Sequence, residues 1–183
     1  MKILFSGYYN PNNIAQTEYI ERAILQLGHE LETYDYRQHI IPYRISNKVP
    51  FLYRWDINRL NNGLIKLVNH FKPDIFLVNW GGTFYPETIT KISKQFKVTT
   101  INWLVDFPGA PGVLETAIKV VPAYDYFFAQ STDALEVHAR HGSRGGMWLN
   151  AACDPDIHKP LDLSEEEKAK YGSDICFVGS MYP

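Results

Sequence analysis

The sequence predicts an α/β fold: a doubly wound, mostly parallel sheet covered by helices in a three-layer α/β/α arrangement. Three observations predict it. Short apolar runs of strand length alternate with helical segments along residues 1–150. The inner runs, such as Asp74–Asn79 (DIFLVN), are continuously apolar, as expected of strands covered on both faces. Clusters of Gly, Pro and Asn separate the runs at turn-like positions.

Lys2–Ser6 is the first apolar run and stops at Gly7, and the Asn-rich Tyr8–Asn13 reads as a loop. Ile20, Ala23, Ile24 and Leu27 then fall at i, i+3, i+4 and i+7, one face of a helix over Ile14–Leu27 that Gly28 stops. Glu30–Tyr36 alternates as a second strand. Arg37–Arg54 carries Pro42 and Pro50 and reads as an irregular, aromatic excursion with room for a short extra element. Trp55–Phe71 is a helix with Leu60, Leu64, Leu67, Val68 and Phe71 on one face, ended by Pro73.

After the strand Asp74–Asn79 come a helix over Glu87–Phe96, a buried strand over Val98–Val105 and a short helix over Gly112–Val120. A strand at Tyr124–Ala129 leads to a helix over Ser131–Arg140, with Ser131 as N-cap and Gly142 as stop. Met147–Leu149 is a last short strand. About six strands alternating with helices make a Rossmann-like sheet with expected order 2-1-3-4-5 over its first five strands.

Past Asn150 the pattern changes. Ala151–Leu163 contains Pro155 and Pro160 without periodicity and reads as a linker. Ser164-Glu165-Glu166-Glu167 is a capping box opening a short charged helix that Gly172 ends. Asp174–Val178 (DICFV) reads as a fresh strand. The expected organisation is residues 1–150 as one domain, 151–173 as a linker with a helix, and 174–183 as the first strand of a truncated second domain. The alternative pairs that last strand with the edge of the first sheet.

Composition excludes several classes. Of 183 residues, 45% are hydrophobic and 21% charged, which is globular. A formal net charge of −2 without a block of like charge gives no nucleic-acid footprint and no polybasic membrane patch. Neither a signal peptide nor a transmembrane segment is read, so a cytoplasmic setting is expected. Cys153 and Cys176 are too few for a disulfide framework or a zinc site and read as reduced thiols. His138 and His141, at i and i+3, lack a third ligand and read as a solvated helix face, so no metal and no cofactor is expected.

Ligands of open α/β sheets bind beyond the carboxyl ends of the strands. Four loops qualify: Gly7–Pro11, Trp80–Tyr85, Asp106–Gly109 and Gln130–Thr132. The candidate substrate contacts are Gly7, Tyr8, Asn10, Trp80, Gly81, Gly82, Phe107 and Ser131. The first loop lacks G-x-G-x-x-G, and no P-loop is present. Gly81-Gly82 admits a ligand to the backbone or makes a tight turn. Tyr8, Tyr9, Trp80, Phe84 and Tyr85 could stack on sugar rings. Asp106, after a buried strand, could accept a hydroxyl proton, or could cap a turn. It is the candidate catalytic residue.

Trp148-Leu149-Asn150-Ala151-Ala152-Cys153-Asp154-Pro155-Asp156-Ile157-His158-Lys159-Pro160 resembles the interdomain hinge of GT-B glycosyltransferases, most closely that of the CgeB-like, spore-maturation-type family. Asn150, Asp154 and Pro160 hold the pattern, with Cys153 as an insertion. Asp174–Pro183 (DICFVGSMYP) is similar to the opening of that family's donor-binding domain, and Lys2–Arg37 and Trp103-Leu104-Val105-Asp106 to its acceptor-side domain. The resemblance implies the N-terminal half of a GT-B fold that receives an acceptor not identified by the sequence. The nucleotide-sugar donor would bind a domain past Pro183, without a metal, and Asp106 could be the acceptor base if the reaction inverts, the stereochemistry not being fixed by the sequence. The resemblance also implies that the fragment is inactive alone. The competing readings are a GT-B-fold sugar-nucleotide epimerase and a non-catalytic flavodoxin-like binding or regulatory module. Ser6-Gly7-Tyr8 at the end of the first strand argues against an acidic receiver site.

Overall fold

The computed structural model describes residues 1–12, 14–46, 48–105 and 113–177. The chain forms two compact units, Met1–Ala152 and Cys153–Pro183. In the first unit, β1 (Lys2–Gly7), β2 (Glu30–Asp35), β3 (Ile75–Asn79), β4 (Thr99–Leu104), β5 (Tyr126–Ala129) and β6 (Gly146–Trp148) form one sheet of order β2-β1-β3-β4-β5-β6. Every neighbouring pair is parallel. The order matches the expectation, and the direction of winding reverses beside β1.

The register assigns the two faces. Leu4, Phe76 and Thr100 lie side by side, as do Ile3, Ile75 and Thr99. On the first face Leu4, Phe76 and Val78 are buried with Leu64 and Val68 of α3 (Pro50–Phe71) and Ile89 and Ile92 of α4 (Pro86–Gln95). Leu104, Phe127 and Ala129 continue that face. They pack on Ala117 of α5 (Val113–Val120), on Val121 in the 3₁₀ turn Val121–Ala123, and on Ala134 of α6 (Thr132–Arg140). Each fully buried Leu, Val, Ile or Phe contributes roughly 1.5–3 kcal/mol. The opposite face carries Ile3 and Phe5 against Ile24 of α1 (Gln16–Gln26). Beyond α1 that face is more open: Tyr126 is 48% and Met147 61% exposed.

Two carboxylates, the half-buried Asp125 and the buried Asp56, tie elements together. Asp125 accepts from Ser93 Oγ at 2.9 Å and from the Thr100 amide and hydroxyl at 3.0 Å, joining α4, β4 and the start of β5. Asp56, on α3, accepts from Arg59 Nε at 2.9 Å and from the amides of Ile40 and Ile41 at 3.1 and 3.4 Å. His39 Nδ1 lies 3.1 Å from it. Burial opposes the charge on Asp56, yet Arg59, the Ile41 amide and His39 hold its carboxyl below the ordinary value.

The segment expected to be an irregular excursion contains helix among its described residues. It holds α2 (Tyr43–Ser46) and the first five residues of α3, which begins at Pro50 and not at Trp55. Pro50 occupies the first turn, where its fixed φ suits a helix and its missing N–H costs nothing.

In the second unit Asp154 is buried and accepts from the Asp156 amide at 2.9 Å, closing a turn. Ser164 and Glu167 form the reciprocal capping box of α7 (Glu165–Tyr171), as the sequence indicates. Residues 174–177 form no strand, and Ile175 and Phe177 are 91% and 72% exposed. No neighbouring strand supplies them with backbone partners among the described residues, and residues 178–183 lie outside those described. Cys176 is accordingly an exposed thiol outside any strand, and Cys153 is exposed too.

Candidate functional site at the carboxyl edge of the sheet

Because all six strands are parallel, the loops after β1, β3 and β5 share one edge. The loop after β1 is drawn back onto α1. Thr17 Oγ1 donates to the Tyr8 carbonyl at 2.7 Å, and a Cβ at Gly7 would stand 2.7 Å from the Thr17 methyl. Gly7 thus serves close packing. Arg37 lies 4.2 Å over the Tyr8 ring and 5.5 Å over that of Tyr36, and Tyr36 lies 6.1 Å from Trp80. A cation and three aromatic rings therefore run along the edge from β1 to β3. Asn10 closes its own turn by accepting from the Asn12 amide at 3.0 Å.

The loop after β3 begins with Trp80 at φ 68°, a left-handed conformation uncommon for a bulky side chain. The backbone around it explains the geometry: the Trp80 amide donates to Trp103 O at 3.2 Å, and Asn102 Nδ2 donates to Trp80 O at 2.8 Å. The Trp80 ring lies back over Gly82, where a Cβ would meet its Cη2 and Cζ3 at 1.9 Å. Gly81 also has φ 68°, and a Cβ there would meet Val78 at 2.3 Å. The turn and the indole both require this glycine pair.

Asn61 of α3 holds the rest of the loop. Its Nδ2 donates to Thr83 O at 3.0 Å and to Ile57 O at 2.9 Å, and its Oδ1 accepts from the Tyr85 amide at 2.9 Å. Thr83 Oγ1 donates to Tyr36 O at 2.9 Å. Between this loop, α3 and α5 opens a cleft of about 600 Å³. Ile57, Phe84 and Val120 are buried in its floor. Tyr53, Arg54, Asn58, Tyr85, Glu87, Thr116 and Lys119 are among its polar walls. Burial pushes the Tyr85 phenol above its usual value, opposed by the Arg54 guanidinium and reinforced by Tyr53 and Glu87.

At the ends of β4 to β6 the chain is laced crosswise. Gln130 Nε2 donates to Val105 O, Trp148 Nε1 to Gln130 O at 3.1 Å, and Trp103 Nε1 to Leu149 O at 3.2 Å. Ser131 is the N-cap of α6, its hydroxyl accepting from the Ala134 amide at 3.4 Å.

Of the residues singled out in the sequence, Gly82 lines the cleft, as do Phe84 and Tyr85 from the set read as able to stack on sugar rings. Gly7, Tyr8, Asn10, Trp80, Gly81 and Ser131 lie on the same edge but are not among its lining. Asp106 and Phe107 lie outside the described residues. The sequence reading missed Tyr53, Arg54, Asn58 and Lys119. The available signal was Pro50 as a helix start, which carries the helix across Tyr53 and Arg54. Among the described residues no group of three or more His, Cys, Asp or Glu could hold a metal, and no helix is long and apolar enough to cross a membrane.

No family model and no curated protein matches this sequence. Solved structures do match. Anabaena Alr3699/HepE in complex with UDP and glucose is 13% identical, and the likeness covers 93% of this chain and 48% of that one at a TM-score of 0.51. Arabidopsis thaliana UGT89C1 is 11% identical over 92% of this chain and 54% of its own, at a TM-score of 0.55. In its complex with UDP-L-rhamnose the figures are 10%, 92% and 60%, at 0.51. These are GT-B glycosyltransferases, and the likeness is one of fold: the first unit has the Rossmann-like fold of their N-terminal halves. The chain spans about half the length of the structures it matches.

Proposed function

We propose that this chain is the acceptor-side half of a GT-B glycosyltransferase of the CgeB-like kind, moving a sugar from a nucleotide-sugar donor to an acceptor held at the carboxyl edge of the sheet. The observation that carries the reading is the fold match, which covers nearly all of this chain and about half of each transferase. The cleft beside α4 supports it, since a half that receives an acceptor needs a pocket at this edge. In this reading residues 151–173 are the linker, and the donor half lies beyond the 183 residues. HepE and UGT89C1 were solved with UDP or a UDP sugar, which makes a UDP sugar the first donor to test. The exposed free thiols suit a reducing, cytoplasmic setting.

Asp106 follows Val105, whose carbonyl Gln130 holds at the strand edge. In the proposed reaction Asp106 takes the proton of the acceptor hydroxyl as that oxygen attacks the anomeric carbon and the nucleoside diphosphate departs. The test is a calorimetric titration of UDP-glucose into this chain and into the protein carrying a second half, then turnover of Asp106→Asn in the longer protein. Weak or no donor binding by the short chain is expected. The variant should keep donor affinity and lose about 10²-fold in turnover. Tight donor binding by the short chain would put the domain on the wrong side of the reaction. Full turnover of the variant would remove Asp106 from the chemistry.

A further inference from the structure

We propose that the cleft between α3, α5 and the Thr83–Tyr85 loop selects an acidic acceptor: a molecule with an aromatic or alkyl body and a carboxylate or phosphate near it. The inference rests on the acceptor-side reading and adds the chemical class of the acceptor.

Charge is the first argument. Arg54 and Lys119 line the cleft, and neither makes an ion pair among the described residues. Other cations of the same face are engaged: Arg59 with Asp56 at 2.9 Å, and Lys94 with Asp125 at 3.9 Å. The cleft has one opposing carboxylate, Glu87. Burial pushes the phenol of Tyr85 further from ionisation, so it adds no negative charge. Two cations against one anion around an apolar floor of Ile57, Phe84 and Val120 form a site for one negative group beside an apolar one.

Shape is the second argument. Arg54 and Asn58 also line a second groove, of about 540 Å³, with Pro50, Phe51 and Trp55. Phe51 is 73% and Trp55 46% exposed there. Scattered surface aromatics are ordinary, but two flanking a groove that continues a cationic cleft form a patch. The body of an acceptor can lie along Phe51 and Trp55 while its acidic group meets Arg54 and Lys119. Arg37, Arg44, Lys48 and Arg54 are basic and no residue from 37 to 55 is acidic.

The probes are three small molecules with one ring system: 1-naphthoate, 1-naphthyl phosphate and the neutral 1-naphthalenemethanol, each titrated calorimetrically into this chain. At low salt at least one acid should bind about five- to tenfold tighter than the alcohol, and its advantage should shrink as salt is raised. The two acids separate a carboxylate from a phosphate preference. Arg54→Gln and Lys119→Gln, both at exposed positions, should each weaken the acids by about three- to fivefold and leave the alcohol unchanged. Glu87→Gln should strengthen the acids. Phe51→Ser should weaken acids and alcohol alike. Equal binding of acids and alcohol, or indifference of the acids to Arg54→Gln and Lys119→Gln, overturns the inference while the acceptor-side reading stands. A UDP-glucose titration of the same chain separates the two failures. If UDP-glucose binds tightly and displaces naphthoate, the cleft is a donor site; the acceptor-side reading then falls, and the inference with it.

Discussion

Replacing Asn61 tests how the cleft wall is held. Its side chain spans α3 and the loop after β3, donating to Thr83 O at 3.0 Å and accepting from the Tyr85 amide at 2.9 Å, and the residue is 4% exposed. The third bond, to Ile57 O, lies within α3, where that carbonyl retains its helical partner. Asn61→Ala therefore removes two bonds between elements, each worth about 1 kcal/mol net, and leaves a half-buried carbonyl and amide to find new partners at up to about 1–3 kcal/mol each. Partial access of water to the loop reduces the second term, so a loss of about 2–4 kcal/mol is expected. For a chain of this size that lowers the melting midpoint by roughly 4–16 °C. Urea unfolding gives the free energy, and hydrogen exchange gives the location: the Tyr85 amide should lose protection while amides of β1 and β3 exchange no faster than the global loss requires. Asn61→Asp retains an acceptor for Tyr85 but sets a carboxylate against the Thr83 carbonyl, and should be destabilised at pH 7. An Asn61→Ala protein within about 0.5 kcal/mol of the parent, with Tyr85 still protected, would refute the clamp.

Other perturbations follow from buried groups. His138 is not on the solvated helix face expected for it but fully buried against Phe127 at 4.6 Å; neither ring nitrogen has a hydrogen-bond partner among the described residues, and burial followed by His141 depresses its pKa. The unfolded chain thus binds a proton that the native state resists. Stability is complete above about pH 6.5 and falls below it by up to about 1.4 kcal/mol per pH unit until the folded pKa is passed, and His138→Leu should flatten that slope in urea titrations across pH 5–8. Asp56 is held below the ordinary carboxylate value, so its stabilisation is present above about pH 4 and is lost as pH falls through its folded pKa. Asp56→Asn should cost about 1.5–3 kcal/mol at pH 7, measured by urea unfolding, because the partly exposed Arg59 loses a charge-assisted hydrogen bond. Gly82→Ala forces the Trp80 ring from its place, and a near-ultraviolet circular dichroism change with about 1–3 kcal/mol of destabilisation is expected.

The sheet was legible because its strands are buried on at least one face and therefore apolar in short runs. Leu4, Phe5, Phe76 and Val78, all 0% exposed, sit in segments that no helical spacing fits. The cleft was harder to read. Arg54 and Asn58 occupy the side of α3 turned away from Leu60 and Leu64, so their spacing looks like an ordinary solvated face, and Tyr53 falls in the segment read as irregular. Asp56 was illegible for the opposite reason: a buried carboxylate is indistinguishable from an exposed one until its partners, seventeen residues back at His39 and nearer at Arg59, are known. Pro50 was read as an interruption, although at the first helical position the same ring favours a start. The strand expected at Asp174–Val178 failed over 174–177 because an apolar run specifies a strand only where a neighbour offers hydrogen bonds.

The lacing at the ends of β4, β5 and β6 has a mechanical consequence. Leu149 is gripped twice, its amide by Ala129 O at 2.9 Å and its carbonyl by the Trp103 indole at 3.2 Å, while the Trp148 indole reaches across to Gln130. The polypeptide therefore leaves the sheet from a fixed fulcrum, and any swing of the chain downstream pivots at or after Asn150. The load of that lever falls on two tryptophans, one of them a residue before the candidate base by only three positions. Loosening the Trp103 indole would free the Leu149 carbonyl from the edge of the sheet, and none of these bonds involves a residue that lines the cleft.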